Sequence, residues 1–255
     1  MPGRNRRSSG PGTNSILAID AGNTRIKWGV HDGRSWRKTD AIATADAESL
    51  DDEIRGALPG GAAFASNVAG PDVQAAIESA CKRAKLPVTF VRSEREKLGV
   101  TNGYRDPAQL GPDRWVALIA AHHAHTGHKL VVNAGTALTV DALTGEGRFL
   151  GGLIVAGPAL MRRSLDRGTA ALREAHGAVR EFPDNTPDAI WSGAVLSGAG
   201  AVDRLAAAMN AHGTPAGLII LSGGAANELA PSLTLPFELH ENLVLDGLQL
   251  IARST

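Results

Sequence analysis

The chain has 255 residues, with 26 Lys+Arg balanced by 26 Asp+Glu, 43% apolar and 20% charged residues. That balance excludes a disordered chain, and its zero net charge argues against a dedicated nucleic-acid binder, which carries a basic field. The length suffices for one large domain or two of middling size without covalent staples.

Residues 1–13 hold Arg4, Arg6 and Arg7 among Gly, Ser, Pro and Asn and read as a disordered tail without the apolar core of a secretory signal. Ordered structure begins at Ile16-Leu17-Ala18-Ile19, an apolar run ending at Asp20. Ala21-Gly22-Asn23-Thr24 follows as a turn, and Ile26, Trp28 and Val30 alternate with Arg25, Lys27 and Gly29, so the segment predicts a β-hairpin. Ala62–Asn67 reads as a strand, Pro71–Lys85 as an amphipathic helix, Val88–Val91 as a strand and Asp113–His123 as a helix. Cys81, on the first of these helices, excludes an internal disulfide and a cysteine-based zinc site, reads as a packing residue and fits a reducing cytoplasm.

Leu130-Val131-Val132 then runs into Asn133-Ala134-Gly135-Thr136, with a strand from Leu138 to Val140, repeating the opening pattern 113 residues later. A glycine-rich segment (Gly145 to Gly157), a helix from Pro158 toward Arg173, a loop at Pro183–Pro187 and a helix over Asp188–Met209 follow. Leu218–Leu221 is a buried strand turned by Ser222-Gly223-Gly224 into a helix, and Leu243–Ala252 is the last helix. The repeat predicts an α/β protein of two halves, 14–125 and 126–255, each a mixed sheet flanked by helices. The longest uncharged apolar stretch, Phe149–Met161, is too short to span a bilayer.

A carboxylate at the end of a buried strand, as Asp20 is, faces the crevice where α/β sheets bind ligands. Gly22 lets backbone approach a phosphate, Asn23 and Thr24 extend an anion-binding turn, and Asp20 suits a hydrated magnesium ion. A plain hairpin turn explains one such segment; two in one chain favour the phosphate reading. There is no P-loop motif and no protein-kinase motif set. Gly111-Pro112-Asp113-Arg114 reads either as a helix start or as a base and a carboxylate-binding guanidinium. His122, His123, His125 and His128 read as a cationic helix end, with no acidic or cysteine partner patterned beside them for a metal.

Taken together, Asp20-x-Gly22-Asn23-Thr24-x-x-Lys27-x-Gly29, Tyr104, Gly111-x-Asp113-Arg114 and Gly135-Thr136-Ala137-x-Thr139-x-Asp141 resemble the type III pantothenate kinases. Gly151-Gly152-x-Ile154-x-x-Gly157, Asn185-Thr186-Pro187, Ser222-Gly223-Gly224 and Leu245-Asp246-Gly247 extend the resemblance over roughly residues 14–252. The resemblance implies two actin/ribonuclease H-like halves and ATP-dependent phosphorylation of pantothenate, the first step of coenzyme A synthesis. It implies that Asp20, Ala21, Gly22, Asn23, Thr24, Arg25, Ile26 and Lys27, with Thr136, hold ATP phosphates. Asp113 would be the general base, and Tyr104, Gly111, Pro112, Asp113, Arg114 and Thr186 would line the pantothenate pocket.

It further implies a potassium or ammonium ion and a homodimer with the pocket at its interface, while the residues themselves point to Mg2+ at Asp20, a cytoplasmic setting and neither nucleic acid nor membrane as partner. The family writes Asp where this chain has Asn133, which offers an oxygen without charge to a monovalent cation. Two alternatives stay beside the kinase: another hydroxyl acceptor on the same fold, and a non-catalytic nucleotide-binding accessory protein.

Overall fold

The first two strands are buried almost throughout, and they form the centre of the first sheet. In the computed structural model, which describes residues 15–55, 61–169, 172 and 176–255, β1 (Ile16–Ala21) pairs antiparallel with β2 (Arg25–His31). Strand β3 (Trp36–Ala43) adds antiparallel to β2, and the chain then forms α1 (Leu50–Ile54). Strand β4 (Ala62–Asn67) returns parallel to β1, α2 (Pro71–Arg83) follows, and β5 (Val88–Phe90) lies parallel to β4. The order is β3-β2-β1-β4-β5.

Leu17, Ile19 and Ala21 of β1 and Ile26, Trp28 and Val30 of β2 share one face. Val73, Ile77 and Cys81, four residues apart on α2, belong to the same core, and burying Ile77 contributes about 2 kcal/mol. Burial pushes the Cys81 thiol up to about 11. The helix stops at Arg83, short of the expected Lys85, which takes a left-handed φ of 59°. Strand β3 had no alternating signal because it is an edge strand, mostly exposed and rich in charge.

The second sheet is larger. It contains β6 (Glu96–Lys97) and β7 (Val100–Asn102), and α3 (Pro112–Ala124) then leads to β8 (Lys129–Ala134), β9 (Ala137–Leu143) and β10 (Arg148–Ala156). Two helices, α4 (Pro158–Gly168) and α5 (Thr186–Ala211), precede β11 (Leu218–Ser222). The chain ends with α6 (Ala226–Leu229), β12 (Phe237–Leu239) and α7 (Leu243–Arg253). The order is β12-β11-β8-β9-β10-β7-β6.

Leu130, Val132 and Ala134 of β8, Leu138, Val140 and Ala142 of β9 and Val195, Ala199 and Val202 of α5 form its core. The expected glycine-rich segment is β10, whose glycines carry no apolar alternation to reveal a strand. Helix α4 ends at Gly168 with Thr169 extended, so the expected run toward Arg173 is cut short. Arg173 itself, like the expected tail 1–13, lies outside the described residues. No described helix is long and apolar enough to cross a membrane.

The chain divides into two units, one running to Arg92 and taking in Leu248–Thr255, the other Ser93–Gly247.

Candidate active site

In the second unit, α3 starts at Gly111, whose carbonyl accepts the Trp115 N–H at 3.0 Å, and Pro112 takes the first helical position, where it loses no hydrogen bond. Asp113 therefore sits in the first turn, where amide N–H groups favour a negative charge. Burial nonetheless raises its carboxyl above the ordinary value, opposed in part by the Arg114 N–H and charge.

Arg114 points inward, 5% exposed, onto Asp141 of β9, which is 2% exposed. Its Nε donates to Asp141 Oδ2 at 3.1 Å and its Nη2 donates to Oδ1, a bidentate fork, while Nη1 donates to the Tyr104 hydroxyl at 3.1 Å. The guanidinium carbon also lies 5.8 Å from the ring centres of Tyr104 and of Phe149. Burial works against charge on Arg114, but the bonds and charge of Asp141 outweigh it and hold the guanidinium protonated beyond its ordinary range. Burial pushes Asp141 upward, against the pull of Arg114.

The pair fits because its neighbour on β10 is Gly152, where a Cβ would fall 2.0 Å from Asp141 Oδ1 and 2.7 Å from Arg114 Nη2. The Tyr104 loop is fixed by Arg95, which donates to the carbonyls of Asn102, Tyr104 and Arg105, and by Asn102 Oδ1, which accepts the Tyr104 N–H at 3.0 Å.

The two glycine turns are built alike. In the first unit Gly22 N–H donates to Arg25 O at 3.0 Å, and the Thr44 hydroxyl donates to Gly22 O at 2.6 Å. Asn23, Thr24 and Arg25 are exposed. Ala21 and Ile26 send their side chains into the core, so they have only backbone to offer a phosphate. Asp20 and Lys27 are a cross-strand pair on the opposite face of the sheet.

In the second unit Gly135 N–H donates to Ala137 O at 3.1 Å, and Gly157 N–H to Thr136 O at 2.9 Å. A Cβ on Gly157 would lie 2.0 Å from Gly135 O; one on Gly223, at φ +100°, would lie 2.4 Å from Ala134 O. Gly135 and exposed Thr136 thus share a side-chain-poor turn with Gly157 and Gly223, and Asn133 lies just before it on β8. Thr186 opens α5, exposed, capped by Asn185, whose Oδ1 accepts the Asp188 N–H.

A hydrogen bond thus joins Arg114 to Tyr104. Sequence reasoning quoted Asp141, Gly152, Gly157 and Gly223 within motifs without assigning them a part in the site. The signal for Asp141 was a buried-strand carboxylate 27 residues from an arginine at a helix start, which needs the fold to become a contact.

Comparison with known proteins bears on what these residues do. The model of the type III pantothenate kinase family matches residues 16–224. The chain is 47% identical over 239 residues to the type III pantothenate kinase of Aromatoleum aromaticum, covering 93% of this chain and 98% of that one. It is 42% identical over 240 residues to that of Nitrosospira multiformis, covering 94% and 92%. In fold it is similar to the ADP-bound MreB5 of Spiroplasma citri, with a TM-score of 0.52 at 11% identity over 95% of this chain and 97% of that one. A conserved Baf-family protein from Campylobacter jejuni gives 0.61 at 18% identity over 93% and 98%.

Proposed function

The chain belongs to the type III pantothenate kinase family, and from that premise we propose how its own residues phosphorylate pantothenate with ATP in coenzyme A biosynthesis. The observation that carries the reading is the first turn of α3, where a half-buried carboxyl of raised pKa adjoins a guanidinium locked in place. Asp113 takes the proton of the pantothenate primary hydroxyl as its oxygen bonds to the γ-phosphorus and the bond to the ADP oxygen breaks. Such transfers ask for positioning and charge stabilisation more than covalent chemistry. Tyr104, Gly111, Pro112 and Thr186 line the pantothenate pocket.

Arg114 serves that pocket differently from a free clamp. Its Nε–Nη2 edge is engaged by Asp141, so the Nη1 side, shared with the Tyr104 hydroxyl, is what faces substrate oxygens. The Asp20–Lys27 hairpin and Thr136 hold ATP phosphates by backbone and hydroxyl donors. The carboxylate of Asp20 would hold the magnesium carried with ATP, which would supply charge to offset the phosphates. Asn133 stands where a potassium or ammonium ion is expected, and it would hold that ion by an uncharged oxygen. The same reading includes a cytoplasmic homodimer with the pocket at its interface.

The test is Asp113→Asn, assayed by coupled ADP release with pantothenate. Loss of a general base lowers kcat by about 10²–10⁴-fold while the fold is retained. Because the base must be ionised and its pKa is raised, wild-type activity falls on acidification at a higher pH than an ordinary aspartate would give. Retained activity in the variant overturns the role of Asp113. Absence of any pantothenate-dependent ADP release by the wild type overturns the substrate.

A further inference from the structure

The histidines near the end of α3 part company in the fold. The His122 ring lies against Gly99 and Gly147, His123 Nδ1 meets the Ile119 carbonyl, and His128 Nδ1 accepts the Gly145 N–H. His125, just past α3, turns toward β12 and meets Glu238 on that strand and His240 just beyond it. His125 Nε2 lies 3.3 Å from His240 Nε2 and 3.2 Å from Glu238 Oε2, and His240 Nε2 lies 3.7 Å from the same oxygen.

We propose that these three side chains are a binding site for a divalent transition-metal ion of the zinc type, with water as the fourth ligand. Two imidazoles and a carboxylate are a zinc donor set, and three protein ligands leave one position open. With metal–ligand bonds of about 2.0–2.1 Å, a tetrahedral site has ligand atoms about 3.3–3.4 Å apart, which is the spacing these atoms approach. Two facing Nε2 atoms can share one hydrogen at most, whereas an ion satisfies both lone pairs and the carboxylate together.

The backbone under the ligands is held. The His125 N–H donates to Ala121 O at 3.3 Å, the His240 N–H to Leu221 O at 2.8 Å, and β12 pairs in parallel with β11. Both histidines are half-buried while Glu238 is half exposed, which leaves a path for the ion and its water. Sequence reading set a metal aside for want of an acidic partner; the fold supplies one from 113 residues downstream of His125. An ion here would clip the far end of α3, the helix that carries Asp113 in its first turn, to an edge strand of the same sheet.

The experiment uses the full chain without an affinity tag, stripped with a chelator. Zn2+ is titrated against a chromophoric competitor, Co2+ binding is followed by its visible spectrum, and Tm is read with and without Zn2+. The expected result is one equivalent per chain, a tetrahedral Co2+ spectrum and a Tm raised by Zn2+. His125→Gln and His240→Gln, each with an unaltered metal-free Tm, weaken Zn2+ at least about tenfold and remove the Tm rise, while His123→Gln does neither. Wild-type affinity in either His125→Gln or His240→Gln, or no stoichiometric uptake by the wild type, overturns the site. If one variant fails to fold, the other with Glu238→Gln decides, since loss of affinity in both supports the site and retention in either overturns it.

Discussion

Gly29 of β2 lies opposite Ala18 and Thr39, and a Cβ there would fall 2.9 Å from the Trp36 ring. The same lattice point in the second sheet is Asp141 of β9, opposite Val131 and Gly152. Both sheets share a five-strand plan, β3-β2-β1-β4-β5 matching β10-β9-β8-β11-β12, and β1 and β8 start and end 113 residues apart. The glycine has crossed from the central hairpin strand to its neighbour. In the first sheet the vacated space takes an aromatic ring; in the second it takes a buried Arg114–Asp141 pair beside the proposed base. One backbone has thus been used once for packing and once for holding charge, and the choice turns on which strand gives up its side chain.

Paired substitutions measure that contrast. Gly152→Ala forces its Cβ onto Asp141, the Val140 carbonyl and Arg114 together. Breaking a buried ion pair costs about 3–5 kcal/mol, read by urea denaturation, and the pantothenate KM should rise with it. Gly29→Ala meets the Trp36 ring and the Thr39 methyl, which can give way, and costs about 1 kcal/mol with the pantothenate KM unchanged. Equal losses in the two variants would break the comparison.

A second contrast is the first residue of each hairpin, Ile16 against Lys129. Lys129 is fully buried, and its Nζ has no hydrogen-bond partner among the described residues. Burial lowers its pKa, opposed by Glu146, so the folded state gives up this proton more readily than the unfolded chain. The penalty builds as pH falls from the ordinary lysine value of 10.5 toward the lowered one and is full below it. Lys129→Ile, which copies the first hairpin, should therefore add about 1–3 kcal/mol at neutral pH, an advantage that fades in strong base. Equal stability of variant and wild type across pH would show that Lys129 finds its charge satisfied.

The smallest expected effect is at the strand ends, Asp20 against Asn133, which face Ser66 and Ser222 on the parallel neighbours. Asn133→Asp restores the match. Steady-state rates measured against added potassium should then show a few-fold stronger response, and an unchanged salt profile would remove Asn133 from the cation's surroundings.

Much of this plan is legible in the amino-acid order, because β1 and β8 are apolar runs closed by a glycine turn and α3 opens on Gly-Pro-Asp. Other parts are silent for physical reasons. Strand β3 is a charged edge, β6, β7 and β12 are two or three residues long, and β10 is written in glycines. Arg114 announces a fork for a carboxylate, and the substrate was the carboxylate in view; the fold puts Asp141 there first. The internal match also slips at the turn. Gly22, Asn23 and Thr24 separate β1 from β2 while Gly135 and Thr136 separate β8 from β9, so Gly29 and Asp141 are 112 apart, not 113. Aligned without that gap, Gly29 falls on Ala142 and the exchange of glycine for aspartate disappears.

The Cys81 thiol gives the first unit a clock of its own. It is the chain's single sulfhydryl, sealed in the core of that unit with its acidity suppressed to about 11. A thiol reagent added at neutral pH must therefore wait for α2 to lift from the sheet before it reacts. The rate of modification counts those openings in the first unit alone, with no signal from the unit that holds Arg114 and Asp141.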